Sequence, residues 1–147
     1  MKYQSAKRVA LIAGLLGVGQ SVAFAHELSG SLGVASSAID YYQVHCYDDG
    51  TGPNGYLEVS ISDIAPIAAP KLSIQVIRDN TATNATDPID GDAGHSPTLT
   101  VNGSADQYYL LTIDKTAAGI ENYAVEYHCL TNSNQHTGTD IQTITNQ

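Results

Sequence analysis

From residue 42 onward, apolar side chains recur at every second position in short runs cut by turn residues, and no helical period replaces them. Tyr42, Val44 and Cys46 share one parity against Tyr41, Gln43 and His45. Leu57, Val59 and Ile61 alternate with Glu58, Ser60 and Ser62, and Leu72, Ile74 and Val76 follow. Leu99 and Val101, then Tyr109, Leu111 and Ile113, then Tyr123, Val125, Tyr127 and Cys129 continue the pattern, and a last run holds Ile141 and Ile144. Between the runs stand Asp48-Asp49-Gly50, Pro53-Asn54-Gly55, Pro66 and Pro70, Asp87-Pro88 and Asn102-Gly103, residues that suit tight turns. A strand with one apolar face must bury it against a second sheet, so the pattern predicts an all-β, antiparallel β-sandwich of seven or eight strands. The Thr- and Asn-rich stretches 80–86 and 131–139 read as loops.

Ahead of this domain, residues 1–25 have the three parts of an export signal. Lys2, Lys7 and Arg8 are followed by an apolar run over 9–18 and by Ala23-Phe24-Ala25, a small-x-small end. The run is too short to span a bilayer, so a cleaved signal peptide is expected and a transmembrane anchor is not. Cleavage after Ala25 is favoured over cleavage after Ala23 and leaves a domain of residues 26–147 in the periplasm or outside the cell. Removing the signal changes the charge balance. The remainder keeps 3 fixed cations (Lys71, Arg78, Lys115) against all 15 carboxylates, a formal charge of −12. Such a domain repels nucleic acid and anionic membranes and attracts cations.

Cys46 and Cys129 are the only cysteines. In an oxidising compartment they are expected to form one disulfide. Each ends an apolar strand face, so the bond would join two inner faces. In this the chain resembles immunoglobulin-like domains, although it has no Trp to pack on the bridge.

The segment Gly50-Thr51-Gly52-Pro53-Asn54-Gly55 spells a dinucleotide fingerprint but runs into the strand-like Tyr56-Leu57-Glu58-Val59. The pyrophosphate needs a helix N-terminus there, so a hairpin loop is the reading. No G-x-S-x-G, P-loop or H-E-x-x-H pattern occurs, and no catalytic residue can be assigned.

Five histidines stand out in a chain so poor in other bases: His26, His45, His95, His128 and His136. Cleavage after Ala25 would make His26 N-terminal, where its amino group and ring chelate one copper ion and a second His completes an N₃ brace. This resembles the N-terminal-His copper proteins of β-sandwich fold, the periplasmic copper-resistance carriers and the polysaccharide monooxygenases. The resemblance implies a copper site at His26. His45 and His128 each precede a cysteine and so point away from it. If the disulfide joins two sheets, these two imidazoles leave from opposite outer faces, and His128 and His136 become the expected partners of His26. If both cysteines lie in one sheet, His45 and His128 become neighbours instead. A second candidate is the loop bearing Asp87, Asp90 and Asp92, whose three carboxylates and glycines could wrap calcium, although the spacing is not that of an EF-hand.

Three functional classes follow. The first is an exported, non-catalytic binding or structural module, with self-association or a cell-surface partner open to it. The second is a copper-binding protein for storage or delivery, using His26, His128 and His136. The third, and least favoured, is a secreted enzyme.

Overall fold

A computed structural model describes residues 26–66, 70–92 and 94–147; the export signal expected over 1–25 lies outside them. Nine strands are found among these residues: β1 His26–Leu32, β2 Asp40–Tyr47, β3 Tyr56–Ile64, β4 Leu72–Arg78, β5 Thr81–Thr86, β6 Leu99–Asn102, β7 Gln107–Lys115, β8 Glu121–Leu130 and β9 Gly138–Thr145. They form two antiparallel sheets, one in the order β1-β8-β3-β6 and one in the order β5-β4-β7-β2-β9. No helix occurs among the described residues, so none there is long and apolar enough to cross a membrane.

Seven strands coincide with the alternating runs. The two additional ones are β1 and β5, both at sheet edges. Residues 81–86 (TATNAT) are a strand and not the loop expected from their composition. An edge strand needs one hydrogen-bonded neighbour and little buried surface, so a sequence without large apolar residues can take the position.

The two inner faces are packed by the side chains that the alternation singles out. Val44, Cys46, Leu57, Ile61, Leu72, Ile74, Tyr109, Leu111, Ile113, Tyr123, Val125 and Cys129 are each fully buried. Cys46 on β2 and Cys129 on β8 form a disulfide between the sheets, with their Cα atoms 5.5 Å apart. With no Trp and no described Phe, tyrosine supplies the bulk of the core and must satisfy its hydroxyls there. It does so through a buried chain: Tyr123 donates to Asp40 Oδ2, the Tyr42 and Tyr123 hydroxyls are 2.6 Å apart, and Asp40 Oδ1 accepts the Gln147 amide at 2.7 Å. That last bond ties the chain end to the start of β2.

Candidate metal centre

Three segments converge at one end of the four-stranded sheet. His26, the first residue of β1, lies opposite Tyr127 in the β1–β8 register, next to His128. Beyond β8 the chain makes a compact turn over 131–135. The Asn134 amide donates to the Thr131 carbonyl, Thr131 Oγ1 accepts the Gln135 amide, and Asn134 takes a left-handed φ of 63°. Asn is among the few residues that adopt this conformation without large strain. The turn sends His136 back to bridge Leu130, and the Thr137 amide donates to the Cys129 carbonyl. His136 and His128 therefore meet with ring centroids 4.8 Å apart in an edge-to-face arrangement.

One ring nitrogen from each of His26, His128 and His136 lies within 4.8 Å of the other two. All three residues are half-buried. Nδ1 of His26 and Nδ1 of His128 are shielded from solvent and have no hydrogen-bond partner, which is costly for a polar atom. Burial, reinforced by His136, holds His128 below the usual imidazole range, so its ring is neutral and its lone pair available at neutral pH. Glu58, opposite His128 on β3, and Glu126, two residues earlier on β8, oppose that shift and make the approach to the rings acidic. Metal–imidazole bonds of about 2.0–2.1 Å need ligand atoms roughly 3–4 Å apart, so binding would require the rings to draw together from the present spacing.

The disulfide joins the two sheets, and His45 is accordingly on the other outer face. Its Nε2 is 2.7 Å from Asp106 Oδ1, and its ring stacks on Tyr108 at 4.1 Å. His95 is also elsewhere, with Nδ1 2.7 Å from Ser62 Oγ.

The three aspartates expected to hold calcium are not brought together as a set. Asp87 Oδ1 accepts the Ile89 amide at 3.1 Å and its Oδ2 accepts the Asp63 amide at 2.7 Å. Asp92 Oδ1 accepts the Gly94 amide at 2.6 Å. These two residues shape their own loop as Asx turns. Asp90 alone joins a carboxylate cluster, with Asp63 and Glu121, one oxygen of each lying within 4.8 Å of the others. Local spacing does not connect Asp63 and Glu121, which are 58 positions apart. A signal for both was present, since each is a charged residue at a position of core parity.

Fold and site together define a two-sheet, disulfide-bridged β protein carrying a three-histidine cluster at one end. No protein-family profile matches the chain, and no curated protein or solved structure matches it.

Proposed function

We propose that the chain is an exported β-sandwich binding module whose ligand is a copper ion held by His26, His128 and His136. The observation that carries this reading is the convergence of three imidazole nitrogens within 4.8 Å from three separate segments. Two buried and unpartnered Nδ1 atoms support it, because a bound cation would satisfy them. A neutral nitrogen donor set binds copper(II) more tightly than the other divalent first-row metals. Cleavage after Ala25 would add the amino group of His26 as a fourth nitrogen. Half-burial suits storage or delivery, since a partner protein can reach the metal.

The finer fold assignment has support as well: we infer an immunoglobulin-like core. β2 and β7 are neighbours in one sheet, β3 and β8 in the other, and the disulfide links β2 to β8, the relation of strands B, E, C and F in that fold. The terminal strands depart from it, since β1 borders β8 and β9 borders β2. That exchange is what brings His26 beside His128.

The test has two steps. Mass spectrometry of the exported protein should give His26 as its first residue. Copper titration should then show one tight site, weakened by about tenfold or more in His26→Ala, His128→Ala and His136→Ala. Equal copper affinity in the folded variants and the wild type would leave a structural module as the better reading.

A further inference from the structure

The inner face of the four-stranded sheet ends in charge at the pole opposite the histidines. Along β3 the inward residues Leu57, Val59 and Ile61 are followed by Asp63. Along β8 the inward run Cys129, Tyr127, Val125 and Tyr123 begins with Glu121. Asp63 and Glu121 are both 0% exposed. A buried carboxylate is strongly unfavourable unless hydrogen bonds or an opposite charge compensate it. Compensation within the protein is small. Asp63 Oδ2 accepts the Leu72 amide at 3.1 Å, whereas Asp63 Oδ1 and both Glu121 oxygens accept no hydrogen bond. Lys115, whose charge acts on Glu121, donates to the carbonyls of Gly33 and Gly119.

Asp90 brings a third carboxylate to this point from the loop after β5. The path of that loop is fixed by backbone and side-chain bonds. The Asp87 amide donates to the Leu72 carbonyl at 3.0 Å, the Gly91 amide to the Asp63 carbonyl at 2.8 Å, and the Asp63 amide to Asp87 Oδ2 at 2.7 Å.

We propose that Asp63, Asp90 and Glu121 form a calcium site, separate from the histidine cluster. An all-oxygen donor set selects a hard cation. Magnesium keeps several waters in a strict octahedron, for which two fully buried carboxylates leave little room, whereas calcium accepts irregular shells of carboxylate and carbonyl oxygen. The charges close as well: three carboxylates are balanced by one divalent ion and Lys115. Bound calcium would supply the partner that Glu121 lacks and pin the 87–91 loop to the ends of β3 and β8. His128 lies seven positions beyond Glu121 along β8, roughly 23 Å at about 3.3 Å per residue, so the two sites can be tested apart.

The experiment uses chelator-treated, purified chain. Calorimetric titration should give one calcium per chain, and calcium should raise Tm more than magnesium at equal concentration. Terbium should bind in its place and luminesce through tyrosine, because Tyr123 lies opposite Asp63 in the β3–β8 register. Calcium should then quench that signal by displacement. Glu121→Gln should weaken calcium binding by about tenfold or more. Asp79→Asn, an exposed change elsewhere, should leave it intact, and so should His128→Ala. Two results would overturn the proposal. One is wild-type chain with the same melting curve in calcium and in chelator and no calcium-displaceable terbium signal. The other is a cooperatively folding Glu121→Gln variant with unchanged calcium affinity.

Discussion

Asp63 makes the stability of the metal-free protein depend on pH in a direction opposite to that of most carboxylates. Burial, opposed by the hydrogen bond from the Leu72 amide and reinforced by Asp90, Glu121 and Asp87, pushes its carboxyl from 3.8 up to about 7. In the unfolded chain the group ionises near its ordinary value. Between about pH 4 and 7 the folded state therefore holds a proton that the unfolded state has released, and stability must fall as pH rises through that window. A shift of about 3 units at 1.36 kcal/mol each sets an upper limit of about 4 kcal/mol. Glu121 is raised as well, by burial first and by Asp90 second, and adds to the same trend. The assay is urea unfolding in chelator from about pH 4 to 8, for wild type and for Asp63→Asn. Asparagine keeps the shape and can still accept the Leu72 amide, but it cannot ionise. Wild type should lose roughly 2–4 kcal/mol more than the variant across the window, with the excess complete above about pH 7. Parallel curves, or a wild type that gains on the variant as pH rises, would refute the reasoning.

Two further predictions concern the frame that holds both sites. Replacing Cys46 and Cys129 together by Ala opens a loop spanning 83 positions, which the chain-entropy relation values at about 4–5 kcal/mol; a loss under about 1 kcal/mol in urea unfolding would contradict it. Gly30 lies opposite Tyr123, and a Cβ there would stand 2.2 Å from Cζ and Oη of that ring. Gly30→Ala should cost about 3 kcal/mol, from overpacking and from disturbing the Tyr123 bond to Asp40, and a Tm equal to wild type would show that the ring has room to move.

How far the sequence could be read depended on what each part of the fold has to bury. The central strands carry two-residue periodicity because one face of each meets the other sheet, and Tyr42, Tyr109, Tyr123 and Tyr127 are buried where that parity puts them. β5 carries almost none, because TATNAT lies at an edge and holds its place mainly through backbone pairing, whereas β1 does alternate, with Leu28 and Leu32 on the core side, but Gly30 between them thins the apolar signal. The proximity of His128 and His136 was legible in the short turn between them. The arrival of His26 depends on β1 pairing with β8, and strand order leaves no trace in a periodicity shared by all strands. For the acidic residues, local spacing was the weaker guide. Asp87 and Asp92 are close to Asp90 in sequence but spend oxygens on nearby amides, whereas Asp63 and Glu121 converge on Asp90 from distant strands. Parity was the better clue, since a charged residue continuing an apolar inner face has to find a partner there.

The charge balance of the described domain links the two proposed sites. Apart from Lys115, whose charge acts on Glu121, its three fixed cations do little to neutralise carboxylates. Lys71 donates to the Pro88 carbonyl at 2.8 Å, Lys115 donates to two carbonyls, and Arg78 meets its neighbour Asp79, at 3.2 Å, and the Asn102 carbonyl. Lysine and arginine here mainly cap backbone oxygens, so most of the counter-charge for 15 carboxylates has to come from solution. Diffuse ions suffice at the exposed acids, where screening is effective over about 10 Å. They cannot reach Glu121, which is fully buried, so that position demands a proton or a dehydrated cation. The histidine pole differs in kind: its donors are imidazole nitrogens, and Glu58 and Glu126 supply the negative charge beside His128. A soft or borderline transition metal is therefore suited to one end of β8 and a hard cation to the other, and competition between copper and calcium for either site should be weak.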